Sequence, residues 1–163
     1  MKNKINNTTA YKFSIVAAGL GFAMLLSAAP AQAVTYYGQT VSTKSASPNN
    51  CRSISGGYEC FFPTVPPFVT LNIQYASMQC GSTGGSLQLQ EFMISTQPTV
   101  NFTGTEPTYQ IPLTNQNSIG NVVTAGSPTN IYAAAGTIPT AYVYLTTVPS
   151  GTQCSVSLSG LTQ

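Results

Sequence analysis

The sequence predicts an all-β protein: a two-sheet antiparallel β-sandwich, immunoglobulin-like or jelly-roll-like, with about ten short strands and two disulfides. Three observations lead there. The chain from Val34 onward is rich in Thr, Val, Tyr and Ile, which favour strands. Gly, Pro or Asn interrupts it every few residues, and no run of ten or more residues keeps a 3.6-residue period with good helix formers. Four cysteines, an even number, occur in a chain that opens with an export signal.

Residues 1–33 read as a cleaved signal peptide. Lys2, Lys4 and Lys12 make a basic start without an acid, and Phe13 to Leu26 is a 14-residue run of apolar and small residues. Ala31-Gln32-Ala33 then supplies the small-x-small site of a signal peptidase. A helix that crosses the hydrocarbon core needs about 20 apolar residues; this run is shorter and is soon followed by Pro30. No cysteine follows the site to take a lipid. Residues 34–163 are therefore expected to form one sandwich domain with no membrane span, secreted, periplasmic or on the cell surface.

Taking 33 residues from 163 leaves 130. These keep two bases, Lys44 and Arg52, and three acids, Glu59, Glu91 and Glu106, so the side-chain charge is 2 − 3 = −1. The basic pI near 8.4 belongs to the leader-bearing chain. Five charges in 130 residues is far below the usual charged share of about 25%. His, Asp and Trp are missing altogether. Two cations cannot neutralise a run of phosphates, which argues against nucleic acid and anionic lipid. Zinc needs Cys or His clusters and calcium needs several carboxylates, so no cofactor is expected.

The strands follow in order. Val34–Ser42 comes first, then Tyr58–Val65 up to the Pro66-Pro67 break. Phe68–Met78 alternates Val69, Leu71, Ile73 and Tyr75 against Thr70, Asn72 and Gln74. A Gly81-Ser82-Thr83-Gly84-Gly85 turn leads to Ser86–Ser95, with Leu87 and Leu89 inward, and the two strands are expected to pair as a hairpin. Both change phase, after Tyr75 and after Glu91, at similar distances from the turn. That predicts facing bulges, or a bend between sheets, that leave Glu91 at the surface. Further strands are expected at Thr99–Gly104, Thr108–Thr114, Gly120–Ala125, Asn130–Ala135, Ala141–Val148 and Gln153–Leu161, with turns at Ser127-Pro128, Gly136 and Pro149-Ser150-Gly151. Val41 to Asn50 and Thr105 to Pro107 read as loops.

Cys51, Cys60, Cys80 and Cys154 allow three pairings. The favoured one joins Cys51 to Cys60 through a turn at Ser55-Gly56-Gly57, and Cys80 to Cys154 in the last strand. Loop entropy gives these about 2.7 and 4.5 kcal/mol at most. A reactive thiol would need a C-x-x-C or a His to activate it.

Catalysis finds few groups to work with. Without His or Asp the Ser-His-Asp and Cys-His arrangements cannot be built. A Ser–Lys dyad would have to use Lys44, and a carboxylate pair would need two of Glu59, Glu91 and Glu106 across a cleft. Arg52 and Glu59 are instead expected to pair across the small disulfide loop. The protein is thus expected not to be an enzyme. Tyr36, Tyr37, Tyr142 and Tyr144 are the candidate binding aromatics, since tyrosine offers a flat face and a polar tip. Adjacent Tyr36 and Tyr37 must point to opposite faces, so only one is outward, whereas Tyr142 and Tyr144 share one face, with the core face as the competing reading. Strands with almost no charge also lack the lysines that usually guard sheet edges. An exported β-sandwich acting by surface interaction or self-assembly is the leading expectation, as a cell-surface structural or adhesive subunit. Its partner would be itself or a surface polysaccharide or protein. A secreted carbohydrate- or protein-binding module is the alternative, and an outer-membrane barrel fits less well because most strands are short.

Val34-Thr35-Tyr36-Tyr37-Gly38 before Cys51, and Leu71-Asn72-Ile73-Gln74 before Cys80, resemble the first strand and the mid-domain cysteine strand of chaperone–usher pilins. The C-terminal strand departs from that pattern. It ends Ser159-Gly160-Leu161-Thr162-Gln163 without a Tyr, and Cys154 has no counterpart there, so the family is not assigned.

Overall fold

The structure is a computed structural model, and it describes residues 34–44, 51–98, 104–105, 107–113 and 116–163. The expected signal peptide, Glu106 and most of the expected strand Thr99–Gly104 lie outside the described residues. Ten strands are present among those described: β1 Thr35–Ser42, β2 Cys51–Ile54, β3 Gly57–Phe61, β4 Leu71–Gly81, β5 Leu89–Gln97, β6 Thr108–Gln110, β7 Asn117–Ile119, β8 Val122–Ala133, β9 Ile138–Leu145 and β10 Gln153–Thr162. They form two five-stranded sheets, ordered β1-β10-β4-β8-β7 (sheet A) and β2-β3-β9-β5-β6 (sheet B). Every pairing is antiparallel.

The core lies between the sheets. Period-2 alternation sends Leu71, Ile73, Ala76 and Met78 of β4, and Val156 and Leu158 of β10, inward from sheet A. From sheet B come Phe92 and Ile94 of β5, and Ala141, Val143 and Leu145 of β9. Phe62 and Leu87 fill the space from the connections before and after β4. Cys51 and Cys60 stand opposite each other in β2–β3, and Cys80 and Cys154 in β10–β4, and each pair is bonded. Both bridges join neighbouring strands of one sheet, so burial between the sheets is what holds the sandwich closed.

The expected hairpin of Phe68–Met78 with Ser86–Ser95 does not form. Strand β4 pairs with β10 and β8, and β5 pairs with β9 and β6 in the other sheet. Residues 82–88 make a crossover instead of a turn: Ser82 is bonded to Asn121, and Leu87 is driven into the core. Both phase changes are nevertheless bulges, one between Ile73 and Tyr75 and one between Leu89 and Glu91. They lie in different sheets and do not face each other. Tyr75, expected inward with Leu71 and Ile73, is turned out by the first bulge and is 41% exposed. Glu91 is half-buried on the outer side of sheet B, opposite Tyr144.

The expected turn at Ser127-Pro128 is absent, and β8 runs unbroken through it. Proline is tolerated there because β7 pairs only with residues 122–124, and no other described strand lies on that side to miss its N–H. Strands β2 and β7, which the sequence did not announce, are short and polar. The expected strand over Tyr58–Val65 stops at Phe61, before Pro63, and that over Thr108–Thr114 stops at Gln110, before Pro112.

Candidate functional site

The four sheet edges differ in length. Strands β2, β6 and β7 have four, three and three residues, and β2 is pinned by a disulfide. Strand β1 has eight, Thr35 to Ser42, with no charge and no proline. Among the described residues it pairs only with β10, in register from Thr35↔Thr162 to Ser42↔Ser155. Its other side therefore presents a row of backbone donors and acceptors, the template on which another strand can add.

One end of sheet A is also aromatic. The register places Tyr36, Leu161, Asn72 and Tyr132 in one row across β1, β10, β4 and β8. Tyr36 is 74% exposed and Tyr132 55%. Phe68, just before the Thr70–Gln163 backbone pair at the same end of the sheet, is 92% exposed. Its φ is 66°, in the left-handed region that a bulky residue enters only under strain. Neither Phe68 nor Tyr132 was among the residues the sequence singled out. The signal was present in part: Pro66-Pro67 stops regular pairing just before Phe68, and Tyr132 has the opposite parity to the buried Ile131 and Ala133.

The four tyrosines expected from the sequence do not form one platform. Tyr36 and Tyr37 point to opposite faces. Tyr37 packs against the core with its hydroxyl buried and unpaired, and burial pushes its pKa up to about 12. Tyr142 and Tyr144 lie on the outer face of sheet B, with ring centroids 6.4 Å apart and planes 7° from parallel. Tyr142 is tied into a directed chain. Gln97 donates its amide N–H to the Tyr142 hydroxyl, and the hydroxyl donates to the Glu59 carboxylate. Glu59, 5% exposed, accepts from Arg52 Nε at 2.6 Å, and the Arg52 guanidinium lies 4.9 Å from the centre of the Phe61 ring. Burial and then the negative Glu59 push the Tyr142 pKa up to about 12. Each hydrogen bond here holds a side chain in place on the sheet, so the cluster reads as a brace for β2, β3, β9 and β5.

Fold and surface together define a disulfide-bonded two-sheet β-sandwich with one long uncharged edge beside an exposed aromatic end. Its disulfides fit an oxidising compartment, extracellular or periplasmic. Comparison with protein-family models, curated proteins and solved structures finds no match to the chain.

Proposed function

We propose that the protein is an exported, non-enzymatic structural or adhesive subunit that associates with copies of itself through the β1 edge of sheet A. One observation carries this reading. An eight-residue edge without a charge or a proline carries the exposed Tyr36, and the same end of its sheet also exposes Phe68 and, three strands in, Tyr132. Edge pairing gives such a contact its backbone hydrogen bonds, and the aromatics add apolar area to it. The expected cleavage after Ala33 also fits, since it would leave β1 as the first element of the exported chain.

The test is the size of the purified mature protein over a concentration series, read by light scattering and electron microscopy. Oligomers or fibres that grow with concentration are expected. A particle of monomer size at every concentration would overturn the reading.

A further inference from the structure

We propose that the outer face of sheet A carries a binding groove for an acidic oligosaccharide, with Tyr75 as the surface on which a sugar ring stacks and Lys44 as the cation that meets a carboxylate. Two cavities, of about 660 and 340 Å³, open on this face and share Gln79 and Ser155. They therefore form one groove that runs along the strands. Its floor follows from the register. Ser42, Ser155, Gln79 and Thr124 make one row, and Ser157, Ser77 and Gly126 make part of the next. From Tyr75 to Gln79 is four residues, roughly 13 Å of strand. The groove continues past Gln79 to Lys44.

Tyr75 is outward only because of the bulge after Ile73. Bulges of this kind re-aim single side chains and gather beside binding sites. Its ring also needs Gly126. A Cβ at that position would lie 2.6 Å from the Tyr75 hydroxyl and 3.2 Å from Cζ, so the ring can lean across the sheet only where a side chain is missing. Serine hydroxyls and glutamine amides both donate and accept, which matches the hydroxyls of a sugar. Among the described residues no carboxylate lines either cavity, and Lys44 is the one charged residue that does.

The Lys44 end is pre-organised. Ser82 Oγ donates to the Ser150 carbonyl at 3.2 Å, and Asn121 Nδ2 donates to the Ser82 carbonyl at 2.6 Å. Thr43 N–H donates to the Cys154 carbonyl at 3.0 Å, beside the Cys80–Cys154 bridge. A rigid mouth lowers the ordering cost of binding. This site does not depend on self-association, because Tyr75 and Gly126 lie two and three strands in from the β1 edge.

The experiment titrates the mature protein with hexagalacturonate and with maltohexaose, by calorimetry and by NMR shifts. Saturable binding of hexagalacturonate is expected, with weaker or no binding of maltohexaose. Tyr75→Ala should weaken it about tenfold. Gly126→Ala should weaken it by displacing the ring while the fold stays intact, which a thermal melt checks. Lys44→Gln should weaken hexagalacturonate about threefold to fivefold and leave maltohexaose unchanged. If hexagalacturonate does not bind wild type, or binds equally well to Tyr75→Ala, the site is refuted. Equal affinity for both sugars would remove the acidic assignment.

Discussion

Tyr37 and Tyr142 show how single phenols are held in this fold. Both phenols sit where the neutral form is favoured, Tyr37 by burial and Tyr142 by burial and the adjacent Glu59 carboxylate. In the unfolded chain each has a pKa near 10, so a raised folded value favours the native state only while both states are protonated. Their contribution is complete below pH 10 and is lost as pH rises from 10 through 12. Unfolding midpoints should therefore hold steady from neutral pH to about pH 9 and fall above 10. Burial raises the Tyr58 phenol as well, so spectrophotometric titration should show three late phenols, one removed by Tyr37→Phe and one by Tyr142→Phe. Tyr37→Phe also deletes an unpaired buried hydroxyl and should raise stability by about 1 kcal/mol. Phe68 is the opposite case, strained and exposed. Phe68→Gly should relieve the left-handed backbone, adding about 1 kcal/mol after glycine's own entropy cost, while weakening self-association. Association unchanged in that variant would take Phe68 out of the contact. The opposite faces of Tyr36 and Tyr37 were legible in the sequence because alternation alone decides them. The left-handed turn at Phe68 was not, since no residue there demands it.

At the level of elements, patterning located strands better than it paired them. The alternation in β4, β5 and β10 was plain in the sequence, and so was the approximate place of each bulge. The partners of β4 were not, because a Gly/Ser-rich segment can close a hairpin or cross between sheets. Long-range burial of Leu87 and the bond from Asn121 to Ser82 decide the matter. The disulfides were more legible, since few pairings were open and only one matched a tight turn and a clean last strand. Their loops differ, with sequence separations of 9 and 74. On the loop-entropy model the longer bridge contributes about 4.5 kcal/mol and the shorter about 2.7. Replacing Cys80 and Cys154 together by Ser should then cost more than replacing Cys51 and Cys60, because the longer loop is released and both Cys80 and Cys154 are core residues, against Cys60 alone of the other pair. Denaturant melts of the two double variants check this, and the reverse order would contradict it. Gly160 is a second constraint on this pairing. A Cβ there would meet the Asn72 carbonyl oxygen at 1.9 Å, where β10 shifts register against β4.

For the whole molecule, the distribution of charge matters more than its total. Arg52, Glu59 and Glu91 all lie on sheet B, whereas the described part of sheet A carries no charge in its strands, and Lys44 stands just beyond β1. Composition could show that charges were few but not that one sheet would be left without them. That asymmetry leaves the β1 edge without an electrostatic guard. Cleavage after Ala33, as expected from the sequence, would change the formal net charge from +2 to a side-chain charge of −1, and either value keeps long-range repulsion between copies weak. Association through β1 should then depend little on ionic strength, because there are few ionic contacts for salt to screen. Lysine placed at alternate outward positions of β1 tests the point directly. Tyr36 and Thr40 are two of the outward positions; Tyr37 faces the core, and Thr40 bonds across the outer surface to Ser157. Tyr36→Lys with Thr40→Lys should suppress association at low salt and restore part of it at high salt, whereas wild type should behave alike at both. Light scattering across a salt series gives the answer. If the double variant associates as readily as wild type at low salt, the contact lies elsewhere than β1.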